Sequence, residues 1–397
     1  MEMSLIKDLS EIRKEFPVLD KVVYLDNAAT SLTPEPVLKE LIEYNRNYRA
    51  NIERGVHHLS KIATHRYKDA HLKVAELLGA EEEEIVFLKN TTEAINTVAR
   101  GLDIKKGENI VCSSMSHHSN ILPWQRIRDQ KDINLKFANP KKGTVDEKEI
   151  KKLINEDTKL VAISHASNVT GSLNPIKSIS NYCEEKGAYF LIDAAQTAAH
   201  TPIDVSEIRC DFLCASGHKM LAPTGTGLLY VKKEHYDELE PLSLGGGHVR
   251  EVTLSNYSTK DGYEGLEAGT PNIGGGIALG KAADYLREIG LNKIRDHEKK
   301  LTNYLLRQLT EINEIEVVYP EVERVGVVSF YIEEIDAHTL AQLLDQENVI
   351  VRSGDHCSQP LLRQLGYDKL VRVSLSFYNT LEDINKLIGS MEDILRG

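Results

Sequence analysis

No apolar run in the 397 residues approaches the roughly 18 residues that a membrane-crossing helix needs. The opening MEMSLIKDLSEIRKEF is charged throughout. It lacks the apolar core and small-residue cleavage site of a secretory leader, so the expected location is the reducing cytoplasm, with no membrane partner. Cysteine is scarce: Cys112, Cys183, Cys210, Cys214 and Cys357. An odd number without a leader excludes a disulfide framework. Cys210 and Cys214 have C-x3-C spacing, but no second ligand pair follows. They read as small residues packing a buried strand rather than as zinc ligands. Basic charge is short as well: 48 Lys+Arg against 60 Asp+Glu give −12. That excludes a general nucleic-acid binder, which needs a basic face for phosphates, but not a local seat for a small anion. There is no internal repeat, low-complexity tract or long linker. With 41% hydrophobic and 27% charged residues, the chain is not mostly disordered.

What is present is an alternation. The apolar runs are IVFL (85–88), NIVCSS (109–114), LVAIS (160–164), YFLID (189–193), FLCAS (212–216) and GLLYV (227–231). Helix-like stretches such as Thr92–Gly101, Asp146–Asn155 and Ile176–Gly187 separate them. Continuous apolar strands with helical crossovers predict an α/β fold, its mostly parallel sheet covered on both faces. Ligands in such folds bind at the carboxyl ends of strands. Residues 241–275 break the rhythm with many glycines, including GGG at 245–247 and 274–276. They predict an excursion facing a ligand or a subunit rather than core. A long helical stretch is expected over about Gly276–Glu314. From 326 onward, strands at 326–332, 349–354 and 371–376 and helices at 337–347, 358–365 and 381–396 predict a separate small α+β unit.

Several residues carry chemistry. Lys219 follows the FLCAS strand in the turn SGHK. It reads either as a surface turn lysine or as a Schiff-base lysine whose pKa is lowered by burial and cationic neighbours. Asp193 ends an apolar strand, with Gln196 three residues on. It reads either as a helix cap or as a poorly solvated carboxylate in need of a cation. A protonated pyridine nitrogen would be such a cation, and pyridoxal phosphate requires a lysine and an acid of this kind. Asn90 three residues before Glu93 marks a capping box. The helix start there, with the Thr91 and Thr92 hydroxyls, suits a phosphate, and Ser216 and His218 could reach the same anion.

The ordered set LDNAAT (25–30), TTEAIN (91–96), SHHSN (116–120), SHASNVTG (164–171), IDAAQ (192–196), SGHKMLAPTGTG (216–227), EAGTPN (267–272), VRSGDHC (351–357) and VRVSLSFYNT (371–380) resembles the class V aminotransferase-fold enzymes that use pyridoxal phosphate. Within that fold it looks most like the SUF-type, or group II, cysteine desulfurases. The resemblance implies a fold type I large domain over 26–285 with a seven-stranded, mostly parallel sheet. A small α+β domain would comprise 1–25 and 286–397. It implies pyridoxal phosphate attached to Lys219, with His117 stacked on its ring, Asp193 on the ring nitrogen and Gln196 near the phenolic oxygen. Thr91, Thr92, Ser216 and His218 would hold the phosphate, joined by Thr270 from the other subunit of a homodimer. Asn168 and Arg372 would bind the substrate carboxylate, with Arg352 in support. No metal is implied; His117 and His118 lack a carboxylate at ligand spacing.

In this reading Cys357 is the nucleophile. It takes sulfur from L-cysteine as a persulfide, releases L-alanine, and supplies a sulfur-acceptor protein of iron–sulfur assembly. The alternative for Cys357 is a quiet loop thiol, and for Arg372 a solvent-facing or acid-paired strand residue. A reactive thiolate asks for favourable surroundings: Arg352 and His356 lie close in sequence, and SQPLLRQLG can start a helix just beyond. Asp355 stands where many group II members have a histidine; it would oppose the thiolate or pair with Arg352 or a basic partner. Glu53 likewise replaces a common histidine. Selenocysteine lyase of the same fold, a true aminotransferase, and an idle partner-binding protein are the competing readings.

Overall fold

The computed structural model describes residues 9–396. The first eight residues of the expected 1–25 segment, and Gly397, lie outside the described residues. Seven strands form the main sheet in the spatial order Ile85–Leu88, Gly227–Val231, Phe212–Ser216, Tyr189–Asp193, Thr158–Ser164, Asn109–Ser113, Asn134–Ala138. Gly227–Val231 runs antiparallel to both its neighbours, and the remaining pairs are parallel. Side chains of one strand serve two cores. Phe212 and Cys214 pack with Ala94, Ile95, Val98 and Trp124 on one face. Leu213 and Ala215 pack with the helices of the other face. Burial on both sides is the reason these runs are continuously apolar.

Asn134–Ala138 escapes the sequence pattern. As an edge strand it stays partly exposed along most of its length, so NLKFA carries polar residues where the central strands do not. The helical stretch expected over 276–314 is built of two helices, Ile273–Ile289 and Leu291–Thr310, broken at Gly290 with φ 93°. The second glycine triplet is not part of an excursion: Gly274, Gly275 and Gly276 are buried in the first turn of Ile273–Ile289. Before it, Val249–Val252 and Tyr257–Thr259 do form an exposed hairpin.

Small residues on Ile273–Ile289 let the helix His58–Leu78 approach closely. A Cβ added at Gly280 would lie 2.6 Å from Ala70 Cα, a backbone atom that cannot swing aside. Gly280→Ala is therefore expected to cost about 1–3 kcal/mol by overpacking. Gly389→Ala, in the helix Leu381–Arg396 with open space around it, should instead gain about 0.5–1 kcal/mol from helix propensity. Urea unfolding of the two variants checks the opposite signs.

A second, four-stranded antiparallel sheet has the order Ile315–Val317, Val327–Ile332, Leu370–Ser374, Arg352–Gly354. Leu25, Leu305, Phe330, Leu344, Val373 and Leu387 share its core. Near the amino terminus, Val23–Tyr24 runs parallel to Val349–Ile350, and Asp26 bridges Ser374. The LDNAAT segment is thereby drawn between the two sheets.

Candidate active site

The parallel strands end on one edge of the main sheet, and a cavity of about 220 Å³ opens there. Its wall includes Asn90, Thr91, Thr92, His117, Asn168, Asp193, Gln196, Ser216, His218, Lys219, Arg352, Cys357 and Arg372. Sequence positions more than 280 residues apart thus meet where ligands of such sheets bind.

Lys219 closes the short turn Gly217–Lys219 after the Phe212–Ser216 strand. It is half-buried on the cavity wall, not on the surface. Burial brings its amine down to about 8; Asp193 opposes the shift, and Arg372 and Arg352 assist it. Asp193 is buried at the end of its own strand. Its Oδ1 accepts the Ala195 N–H at 3.1 Å, and its Oδ2 accepts the Ser164 hydroxyl at 3.3 Å. Burial pushes this carboxyl up, against the Ala195 hydrogen bond and the Lys219 charge. Among the described residues no side-chain cation is ion-paired with it. His117 Nδ1 accepts the Ser119 N–H at 3.1 Å, which leaves the ring proton on Nε2. Burial first, then the Lys219 charge, brings His117 down to about 3, so the ring on the cavity wall is neutral. Gln196 Nε2 donates to Ala28 O at 3.0 Å and has a second hydrogen to give.

The helix Thr91–Gly101 starts at this wall. Asn90 Oδ1 accepts the Glu93 N–H at 2.9 Å, while Glu93 accepts the Lys89 N–H rather than that of Asn90. The capping box is therefore shifted by one residue. Thr91 is turned inward: its N–H donates to Ser216 Oγ at 2.9 Å, and its Oγ1 lies 2.7 Å from the same hydroxyl. Thr92 Oγ1 lies 2.7 Å from Ser119 Oγ. Burial brings His218 down to about 4. At Gly227 a Cβ would fall 2.5 Å from Asn90 Cα, so only glycine lets the sheet edge press against this helix start.

At the other end, Arg352 and Arg372 are directly opposite on antiparallel strands. Like charges so placed repel. Asp26 Oδ1, 3.0 Å from Arg372 Nη2, offsets one of them. Arg372 Nη1 donates to Asn168 O at 3.0 Å, and its Nε is buried with no partner among the described residues. Burial brings Arg372 down to about 10 despite Asp26. The surplus cation and the free N–H favour an anion such as a carboxylate.

Cys357 is half-buried, and both His356 and Cys357 are left-handed, with φ 51° and 56°. For L-residues that costs on the order of 1–2 kcal/mol each. Hydrogen bonds hold the turn. Asp355 Oδ1 accepts the Cys357 N–H at 2.9 Å, and Cys357 O accepts the His118 N–H at 2.8 Å. His118 Nε2 accepts the Gln359 N–H at 3.2 Å. Two expectations change here. Asp355 does not pair with Arg352; its second oxygen accepts Gln359 Nε2 at 2.7 Å. Nor is His356 a cation beside the thiol: it is buried, brought down to about 3 by burial, and bonded to Leu370 O.

Thr270 stands apart. It borders a different hollow with Tyr67, Gly225 and Asn272. Glu53 pairs with Lys260 at 3.0 Å. Asp26, Ser119 and Ser358 were not singled out from the sequence. Asp26 lies within LDNAAT, and a carboxylate just past an apolar run is the same signal that marks Asp193.

The lysine, with no side-chain partner among the described residues, the buried carboxylate, the neutral imidazole and the helix start form a donor set that fits pyridoxal phosphate. The profile of the family Aminotransferase class-V matches residues 23–387. A probable cysteine desulfurase of Pyrococcus abyssi is 41% identical over 392 residues, covering 97% of each chain. The apo structure of a cysteine desulfurase from Thermococcus onnurineus is 40% identical, with a TM-score of 0.96 over the full length of both chains. A cysteine desulfurase of Escherichia coli, solved as an S-sulfonic acid, is 30% identical with a TM-score of 0.93, covering 98% of this chain and 99% of that one.

Proposed function

Because the chain belongs to the class-V aminotransferase family, we propose that it is a pyridoxal phosphate-dependent cysteine desulfurase with Lys219, Asp193, Arg372 and Cys357 as its working residues. The observation that carries this is the half-buried Cys357 thiol sharing one cavity with Lys219, Asp193 and the opposed arginines. A transaminase would have no task for that thiol.

Lys219 would hold the cofactor, Asp193 would pair with its ring nitrogen, His117 would cover its ring, and Thr92, Ser216 and His218 would hold its phosphate. Bound there, the cofactor supplies an electron sink for charge developing next to the substrate amine. Arg372 and Asn168 fix the substrate carboxylate, with Arg352 in support. Lys219, with its amine neutral, would take the Cα proton of the substrate. Cys357 as thiolate forms the new S–S bond to the substrate sulfur while the Cβ–S bond breaks. The electron pair of the broken bond stays with Cβ, which is protonated, and Lys219 returns its proton to Cα. L-Cysteine and a thiol thus become L-alanine and a persulfide, with no outside oxidant.

Incubating the loaded protein with L-cysteine should yield alanine and, in a single turnover, an equal amount of protein-bound persulfide. Alanine without persulfide, or pyruvate in its place, would overturn the reading. In the ligand-free chain the Lys219 amine gains a proton as pH falls through about 8. The rate of covalent attachment of added pyridoxal phosphate should therefore fall about tenfold per pH unit below that value. Stopped-flow absorbance checks this, and a flat profile would assign the controlling group elsewhere.

The persulfide serves a sulfur-acceptor protein of iron–sulfur assembly in the cytoplasm, a reducing compartment that suits five free cysteines. The enzyme acts as a homodimer. Thr270 borders a hollow other than the Lys219 cavity, and Val56, Leu244, Val252 and Leu254 are exposed apolar residues. Sedimentation should give a dimer at assay concentration, and a fully active monomer would contradict it.

A further inference from the structure

Asn168 is buried between the two parts of the site that must act in concert. Its backbone carbonyl accepts Arg372 Nη1 at 3.0 Å. Its side chain is turned the other way, onto the Cys357 turn. Nδ2 donates to His356 O at 2.7 Å, and Oδ1 accepts the Ser358 hydroxyl at 3.0 Å. The residues on both sides of the nucleophile are thus gripped by one amide. We propose that Asn168, acting with Ser358, is a positioning residue that sets Cys357 against the carboxylate-binding arginine. This rests on the desulfurase reading for the roles of Cys357 and Arg372.

The amide nitrogen carries two hydrogens. One is committed to His356 O; the other has no acceptor among the described residues, and Asn168 forms part of the cavity wall. Substrate carboxylate and nucleophile turn are therefore referenced to the same side chain. The turn needs such a restraint, because two consecutive left-handed residues, His356 and Cys357, relax unless their carbonyls and neighbours are held. Fixing the approach of the thiolate to substrate sulfur is worth more than fixing either alone, since a misplacement of about 1 Å can cost about a hundredfold in rate.

Ser358→Ala separates the two duties. It removes the bond to Asn168 Oδ1 and leaves the Arg372 contact and the Asn168 amide itself in place. With L-cysteine as substrate, kcat should fall about tenfold while KM stays within about twofold. Asn168→Ala should lower kcat and raise KM together. The second readout is independent of turnover: iodoacetamide alkylation of the loaded enzyme, followed peptide by peptide. Release of the turn should expose the half-buried Cys357, so that its alkylation rises several-fold in Ser358→Ala. Cys112, Cys183, Cys210 and Cys214 are buried and should remain unlabelled, which reports an intact fold. Unchanged alkylation of Cys357, an unchanged kcat, or faster labelling of all five cysteines would each overturn the proposal. Failure of the wild type to release alanine would instead overturn the desulfurase reading, and the alkylation contrast would still decide the role of Asn168.

Discussion

Cys357→Ser should keep the cofactor and lose alanine release from L-cysteine, by at least about a hundredfold in kcat. The serine hydroxyl is a far weaker nucleophile toward sulfur than a thiolate and cannot form a persulfide. The substitution is nearly isosteric, and the turn that holds it depends on backbone groups: Cys357 N–H to Asp355 and Cys357 O from His118. Neither bond involves the sulfur, so the local fold should survive. Lys219 and Asp193 lie on the main sheet, whereas residue 357 follows the Arg352–Gly354 strand of the second sheet. The cofactor absorbance should therefore match that of the wild type. Selenocysteine should still turn over, because selenium leaves more readily than sulfur. Mass spectrometry of the wild type after L-cysteine should place the added sulfur on the peptide containing Cys357. Burial raises the other four thiols well above the ordinary range, so none of them supplies a thiolate at neutral pH. Sulfur found on one of them, with the serine variant active at the wild-type rate, would remove Cys357 from the mechanism.

Most strands of the main sheet were legible because burial on both faces demands unbroken apolar runs, and IVFL at one edge, with YFLID, FLCAS and GLLYV inside it, end where the structure ends them. The edge strand Asn134–Ala138 and the three-residue strand Ile315–Val317 carry no such demand. Glycine misled in one place. The same residue type that opens an exposed loop at 245–247 also permits helix contact at 274–276, and composition does not distinguish the two. The chemical residues were legible as a set through their motifs, but what joins them was not. Asp26 meets Arg372 across 346 positions, and Asn168 meets Ser358 across 190. Such pairs are set by how the two sheets face each other, which local patterns do not encode.

Lys219→Ala should abolish both covalent attachment of pyridoxal phosphate and desulfuration, with kcat down by about a thousandfold or more. Dialysis should strip the cofactor from the variant but not from the wild type. The ligand-free chain offers a second measurement that does not involve the cofactor. In the fold the amine sits at about 8 instead of its ordinary 10.5, chiefly because of burial. Between those two values the unfolded chain binds more protons than the folded one, so the stability of the ligand-free wild type rises with pH there. Below about 8 the cost of holding a charged amine in the cavity is fully present; above 10.5 it is gone. Alanine at 219 has no such cost. The difference in melting temperature, variant minus wild type, should be most favourable to the variant near neutral pH and should decline as pH climbs toward 10.5, whatever constant offset the lost methylenes contribute. A difference that holds level across that range would mean the Lys219 amine is well solvated. A borohydride-stable cofactor adduct on the variant would mean that another lysine carries the cofactor.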